Sequence, residues 1–154
     1  MADQTLTDIT RNWAKGVIIG DALNRAAGKA GAAIVGRARA YVSNRVLNRR
    51  SGNLLESIRF QVDNTSNGIQ AVVMAGGGRH KVQYAAIHEY GGVIKPKTPG
   101  GYLKFKIGGN WIQTRMVRMP KRPYVGRAVD DVKPLIPKLI GKEIDKALGV
   151  TSGR

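Results

Sequence analysis

From residue 21 onward the apolar positions fall at helical intervals. Leu23, Ala27, Ala30, Ile34, Ala38 and Tyr41 are separated by four, three, four, four and three residues, which places them on one stripe of an α-helix. With Asp21 as N-cap, the spacing predicts a long helix over 21–48. Gly28, Gly31 and Gly36 interrupt it. Each costs about 1 kcal/mol relative to alanine, so the helix is expected to pack closely against something. Before it, Trp13, Val17, Ile18 and Ile19 are apolar without a clean period, and residues 1–20 are expected to form an arm or a short helix that orders against a neighbour.

Beyond the helix the period changes to two. Ile58, Phe60 and Val62 alternate with polar residues, Asp63 to Gly68 is rich in turn formers, and Ile69 to Ala75 returns. An antiparallel hairpin follows from this pattern, its first strand within 54–62. Tyr84 to Tyr90 suffices for about two helical turns, closed by Gly91-Gly92, which take left-handed geometry without a Cβ penalty. Gly91 to Gly101 carries Pro96, Pro99, Lys95 and Lys97 and is expected to be a projecting loop. Leu103, Phe105 and Ile107 face one way and Tyr102, Lys104 and Lys106 the other, a half-buried strand with a basic outer face. After Gly108-Gly109-Asn110, a fourth strand is expected over 111–119. Pro120 and Pro123 stop it. A last helix follows with a break near Pro134, an apolar stripe of Leu135, Leu139, Ile140, Ile144, Ala147 and Leu148, and Gly149 as cap.

The expected fold class is therefore α+β: a long N-terminal helix, a four-stranded antiparallel sheet with a short inserted helix, and a C-terminal helix. Residues 21–148 form the expected single domain, between a 1–20 arm and a 149–154 tail. At 154 residues the chain is long enough for one core, and with few aromatics that core should rest on Ile, Val, Leu and Ala. No apolar run approaches a membrane span, and the N-terminus lacks the basic stretch of a signal peptide. The absence of cysteine excludes disulfides and thiol catalysis.

Charge sharpens the picture. The net charge is +16, and residues 80–127 carry ten Lys/Arg against the single acid Glu89. Such a field attracts nucleic acid or an acidic protein surface, and it also keeps an unassembled protein soluble.

Candidate chemistry is sparse. His88-Glu89 invites comparison with a zincin helix, but the second histidine would fall at position 92, which is Gly. His80 is the only other histidine. The pair is expected to be structural, bonding nearby backbone. Gly76-Gly77-Gly78 lacks the Gly-Lys-Ser/Thr of a phosphate loop and reads as a connector through His80. No spaced carboxylate pair and no serine–histidine motif occurs, so no enzyme, no cofactor and no metal is expected.

Three stretches resemble one family. Tyr84-Ala85-Ala86-Ile87-His88-Glu89-Tyr90-Gly91-Gly92 is similar to the central signature of phage tail-completion and head–tail joining proteins, the virion morphogenesis group. Ser51-Gly52-Asn53-Leu54-Leu55-Glu56-Ser57-Ile58 resembles that family's upstream element, and Met119-Pro120-Lys121-Arg122-Pro123-Tyr124 its downstream element, with Tyr where Phe is commoner. The resemblance covers about residues 20–148. It implies structural roles for Gly52, Leu54, Ser57, Tyr84, His88, Glu89, Gly91, Gly92, Pro120, Arg122 and Pro123. It further implies a virion protein of the neck, assembled in the host cytoplasm. Its expected form is a homo-oligomeric, six-fold ring that completes the tail and meets the head connector and the tail tube or its terminator.

Contact with such partners is expected from the 1–20 arm through Trp13, from the Gly76–His80 connector, from the loop residues Lys95, Pro96 and Lys97, and from Lys104 and Lys106. The alternative is a basic, non-catalytic nucleic-acid-binding module; the two readings overlap in a non-specific contact with genome DNA, which passes through a neck ring. Lys95, Lys97, Lys104, Lys106, Arg115 and Arg118 would track phosphates, with Tyr102 and Trp111 available to stack. Arg122, between two prolines, is expected to bond carboxylates or backbone carbonyls, and Glu89 is the nearest acid by motif.

Overall fold

A computed structural model describes residues 6–45, 52–77 and 84–150, with side chains described for 16–43, 52–77 and 84–150. Helix α1 runs Leu6–Ala40, and a π-helical turn follows at Tyr41–Arg45. A short helix α2 (Asn53–Ser57) stands where the first strand is expected to begin, at Leu54. The hairpin is β1 (Arg59–Thr65), which runs three residues into the expected turn, and β2 (Gly68–Met74). Helix α3 (Ala85–Tyr90) precedes β3 (Gly92–Ile94), β4 (Leu103–Ile107), β5 (Asn110–Thr114) and β6 (Val117–Met119). Helix α4 (Val125–Val132) passes through a 3-10 turn at Lys133–Leu135 into α5 (Ile136–Ala147). The class is α+β, as the periodicity implied. No helix among the described residues is long and apolar enough to cross a membrane.

Among the described residues the expected four-stranded sheet does not form. Its strands form three separate antiparallel pairs: β1 with β2, β3 with β6, and β4 with β5. The expected fourth strand over 111–119 breaks in two. The Thr114 hydroxyl donates to the Met116 carbonyl at 2.9 Å, and the Met116 N–H reaches the same hydroxyl at 3.4 Å. This side-chain turn ends β5 and lets Val117–Met119 pair with β3 instead. Part of the loop expected over 91–101 is thus a strand, Gly92–Ile94, and only the turn beyond it projects. The Gly101 N–H closes that turn on the Thr98 carbonyl at 3.0 Å.

Nor does the long helix begin at Asp21. It starts by Leu6, so the segment expected to be a separate arm continues into α1. Trp13 lies on this helix, and its side chain is outside the described residues. The buried face is Ala22, Ala26, Ala30, Ile34, Val35, Ala38 and Val42. It keeps three positions of the expected stripe and shifts its first turns by one residue, leaving Leu23 and Ala27 half-buried. Alanine on this face lets the hairpin come close. A Cβ at Gly31 would meet the Phe60 ring, with Cγ at 2.8 Å, so Gly31 is where β1 seats on the helix. Gly28 and Gly36 have open space instead.

Helix α1 also packs against α4 and α5. The core unites Ile34, Val35, Ala38 and Val42 of the first helical segment with Leu54, Ile58, Ala85, Tyr124, Ala128 and Val132. Nothing from β3, β4, β5 or β6 joins it. The stripe expected on the last helix holds in its middle, where Leu139, Ile140, Ile144 and Ala147 are half-buried, and fails at its ends. Leu135 and Leu148 are exposed, and the buried residue of α5 is Glu143.

Glu143 explains why that helix docks. Its carboxylate accepts from Arg25 Nε at 3.1 Å and from Lys29 Nζ, residues one turn apart on α1. The hydrogen bond from Lys29 holds the Glu143 carboxyl below its ordinary pKa; burial opposes this, and Arg25 adds to it. A second tie runs from Tyr41 Oη to Asp131 at 2.7 Å, with Arg37 Nη1 at 3.3 Å from the same oxygen.

Candidate functional site

The three sequence elements that resembled one family meet in space. Gly52 precedes α2, where Leu54 and Ser57 are buried. Ser57 Oγ donates to the Leu54 carbonyl at 2.7 Å and accepts the Gly76 N–H at 3.1 Å, tying the end of β2 to the helix before β1. Leu54 and Ile58 then share the core with Ala85 of α3 and Tyr124 before α4. Tyr124 is fully buried, and its hydroxyl lies 3.4 Å from the Ala85 carbonyl. Burial, reinforced by Glu89, Tyr90 and Tyr84, pushes that hydroxyl up to about 12.

Glu89 is the centre of this knot. One carboxylate oxygen accepts the backbone N–H groups of Tyr124 at 2.8 Å and Val125 at 3.0 Å, and the other accepts Gly126 N–H at 2.8 Å. These are donors that a helix leaves unsatisfied at its start. No residue at the start of α4 supplies a side-chain cap; the cap comes from α3, 35 residues earlier in sequence. The negative charge also sits at the positive end of the helix dipole. Gly126 allows the approach, because a Cβ there would stand 3.1 Å from Glu89 Oε1.

The expected partnership of Arg122 with Glu89 does not form. The carboxylate is already occupied by three backbone donors, and the Arg122 side chain is exposed and in no ion pair. Arg122 acts through its backbone, whose N–H donates to the His88 carbonyl at 2.8 Å. His88 departs from expectation as well. Its ring stands edge-on to Tyr84, with centroids 5.7 Å apart. Its Nδ1 is buried without a hydrogen-bond partner, so the imidazole does not bond backbone through that atom. Burial, then the nearby Arg122 charge, lowers its pKa below the ordinary value.

Gly91 follows with φ +74° and faces the backbone of the downstream element. A Cβ there would stand 2.9 Å from the Lys121 nitrogen and 3.1 Å from the Met119 carbonyl oxygen. Gly92 begins β3 with φ +155°. Pro120 and Pro123 bracket the corner between β6 and α4. Beside the knot lies a cleft of about 520 Å³ whose wall includes Val73, Ala85, Glu89, Tyr90, Tyr124 and Arg127. Among the described residues, no group of histidine, cysteine, aspartate or glutamate is arranged to hold a metal, and His80 lies outside them.

A family model described as the phage virion morphogenesis family matches residues 25–143. The chain belongs to that family. All three motifs and the whole knot fall inside the matched span, and the role it supports is structural, in building the phage particle. No curated protein and no solved structure is significantly similar to the chain.

The other residues singled out in this family member lie away from the knot. Lys95, Lys97, Lys104 and Lys106 are exposed and Pro96 is half-buried. On the β4–β5 ribbon Lys106 pairs across the strands with Trp111, its Nζ 5.0 Å from the ring centre. The Arg115 guanidinium stands 5.5 Å from the Tyr102 ring, with Nη2 3.4 Å from the hydroxyl. The two aromatics expected to stack on bases therefore each carry a cation on one face. Sequence reasoning missed the Glu143 and Asp131 ties between helices. For Glu143 a signal was present: an acid four residues after Leu139 and directly before Ile144, on the stripe assigned to packing.

Proposed function

We propose that this protein is a structural component of the phage neck. It forms a ring at the head-proximal end of the tail, completing the tail and joining it to the head connector. Family membership supports the virion role, and the β region supports assembly. Among the described residues, strands β3 to β6 contribute nothing to the core, yet they expose Val93, Ile94, Ile107 and Ile112, with Ile107 58% exposed. Three two-stranded pairs also leave open edges. An isolated two-stranded pair is marginal in water, and exposed apolar surface grouped on one region marks a contact site. The reading is of subunits that complete one another, with no catalytic step.

Native mass spectrometry of the purified protein, alone and mixed with tail tubes and with the head connector, tests it. A closed ring that binds tube ends and the connector is the expected result. A protein that stays monomeric in every mixture, or that coats tubes along their length, overturns it.

A further inference from the structure

The segment from Tyr90 to Arg127 holds nine cations and no acid: Lys95, Lys97, Lys104, Lys106, Arg115, Arg118, Lys121, Arg122 and Arg127. All nine are exposed, and none forms an ion pair with another described residue. The nearest acid before them, Glu89, spends both oxygens on backbone donors. On the helices Arg25 and Lys29 pair with Glu143 and Arg37 with Asp131, while Lys133, Lys138, Lys142 and Lys146 are interspersed in sequence with Asp130, Asp131, Glu143 and Asp145. The positive field is therefore concentrated on the β region, with no internal counterion there.

The β4–β5 ribbon gives this field a defined face. The pairing register sets Leu103, Phe105, Ile107 and Ile112 on one side and Lys104, Lys106, Trp111 and Gln113 on the other. Arg115 and Tyr102 flank this second face. Lys106 and Arg115 are steadied against aromatic rings, which lowers the entropy lost when they bind. We infer that this face of the ribbon binds double-stranded DNA through its phosphates, without regard to sequence. The inference is independent of the ring reading, since it concerns the side of the ribbon away from its apolar residues.

Two observations favour a duplex over other polyanions. Lysine supplies five of the nine cations, and lysine is depleted at protein–protein contacts but serves well as a point charge for phosphate. The rings of Tyr102 and Trp111 already carry cations, which suits a phosphate backbone better than the unstacked bases of a single strand.

The test is fluorescence anisotropy with a mixed-sequence duplex of roughly three helical turns, titrated with salt between about 50 and 200 mM. The full-length protein is compared with Lys104→Gln/Lys106→Gln/Arg115→Gln and with Lys138→Gln/Lys142→Gln/Lys146→Gln on α5. Thermal melting verifies that each variant folds. The ribbon variant should reduce the slope of log K against log salt by about 2.7, since each phosphate contact contributes about 0.9. The α5 variant, with the same loss of charge, should change it by less than about 1. Lys104→Arg/Lys106→Arg keeps the charge and should keep the slope. No duplex binding, or equal loss in both glutamine variants, overturns the inference. So does polyglutamate competing as well as DNA at matched charge, which points to an acidic protein. Tighter binding of the single strand overturns it in favour of a stacking groove.

Discussion

The knot around Glu89 and the ribbon of β4 and β5 solve opposite problems with the same kinds of residue. In the knot, a carboxylate, two aromatics, a histidine and two glycines are bound to one another, and the charge is used up by backbone donors. On the ribbon, lysines, an arginine and two aromatics face outward with no carboxylate near them in sequence. The first arrangement stabilises one chain. The second leaves apolar and charged surface uncovered, which is costly for a lone molecule and useful in an assembly. The difference teaches that residue type says little about role here; what matters is whether a partner exists within the chain.

Substitution should separate the two regions, and the largest effect should come from the cap. Glu89→Ala removes three charge-assisted bonds and strands the donors at the start of α4. A loss of about 3 kcal/mol is expected, read from urea midpoints. Glu89→Gln keeps an acceptor oxygen and should lose less. If Glu89→Ala melts like the parent, the knot is not what holds α3 to α4.

Next comes a matched pair of glycines. Gly91→Ala meets both a positive φ and the Lys121 backbone, and should cost about 2–3 kcal/mol. Gly100 has a similar φ of +77° but open space around it, so Gly100→Ala should cost about 1 kcal/mol. Equal losses would mean that φ alone decides and that the close approach at Gly91 is tolerated.

A smaller effect depends on pH. The folded pKa of His88 lies below its ordinary value of 6.5, so the unfolded chain binds the proton more readily. Its contribution is complete above that value and is lost as pH falls from 6.5 toward the folded pKa, by at most about 1.4 kcal/mol per pH unit. The groups facing the ring are Tyr84 and Arg122. His88→Gln should flatten urea midpoints measured between about pH 7.5 and 5.5. Glu143, whose folded pKa is depressed below 4.5, loses its contribution only at lower pH. An unchanged slope in the variant would remove His88 from the account.

The sequence made some of this legible and hid the rest for physical reasons. The β1–β2 hairpin, the break at Pro134 and the cap at Gly149 are written in local periods and turn residues, and they stand in the structure. Strand partners are not local. The split of 111–119 depends on one threonine hydroxyl, and the pairing of β6 with β3 depends on where α3 delivers the chain. Glu89 was legible as important by motif, but its partners are backbone N–H groups. Backbone donors carry no residue signature, so the reasoning assigned the carboxylate to Arg122, the nearest visible cation. Glu143 sat on the stripe assigned to packing, but its partners were hidden, since they lie more than a hundred positions away.

The smallest effect on stability should accompany the largest on assembly. The turn between β3 and β4 contains Lys95, Pro96, Lys97, Thr98 and Pro99, and all but the half-buried Pro96 are exposed. Its internal bond from Gly101 N–H to the Thr98 carbonyl closes the turn on itself and anchors nothing in the helices. Shortening it between Lys95 and Gly100 removes two prolines and Lys97 but no core side chain. Melting of the purified protein should stay within about 1 kcal/mol of the parent. If the ring reading holds, the same deletion abolishes ring formation or head–tail joining, because stiff, charged turns dock with little ordering cost. Hydrogen exchange on free and assembled protein gives the direct comparison, with protection of residues 95–100 gained only on assembly. Protection already present in the free protein, or joined particles built from the shortened chain, would place the contact surface elsewhere and leave the ribbon face as the remaining outward feature of the β region.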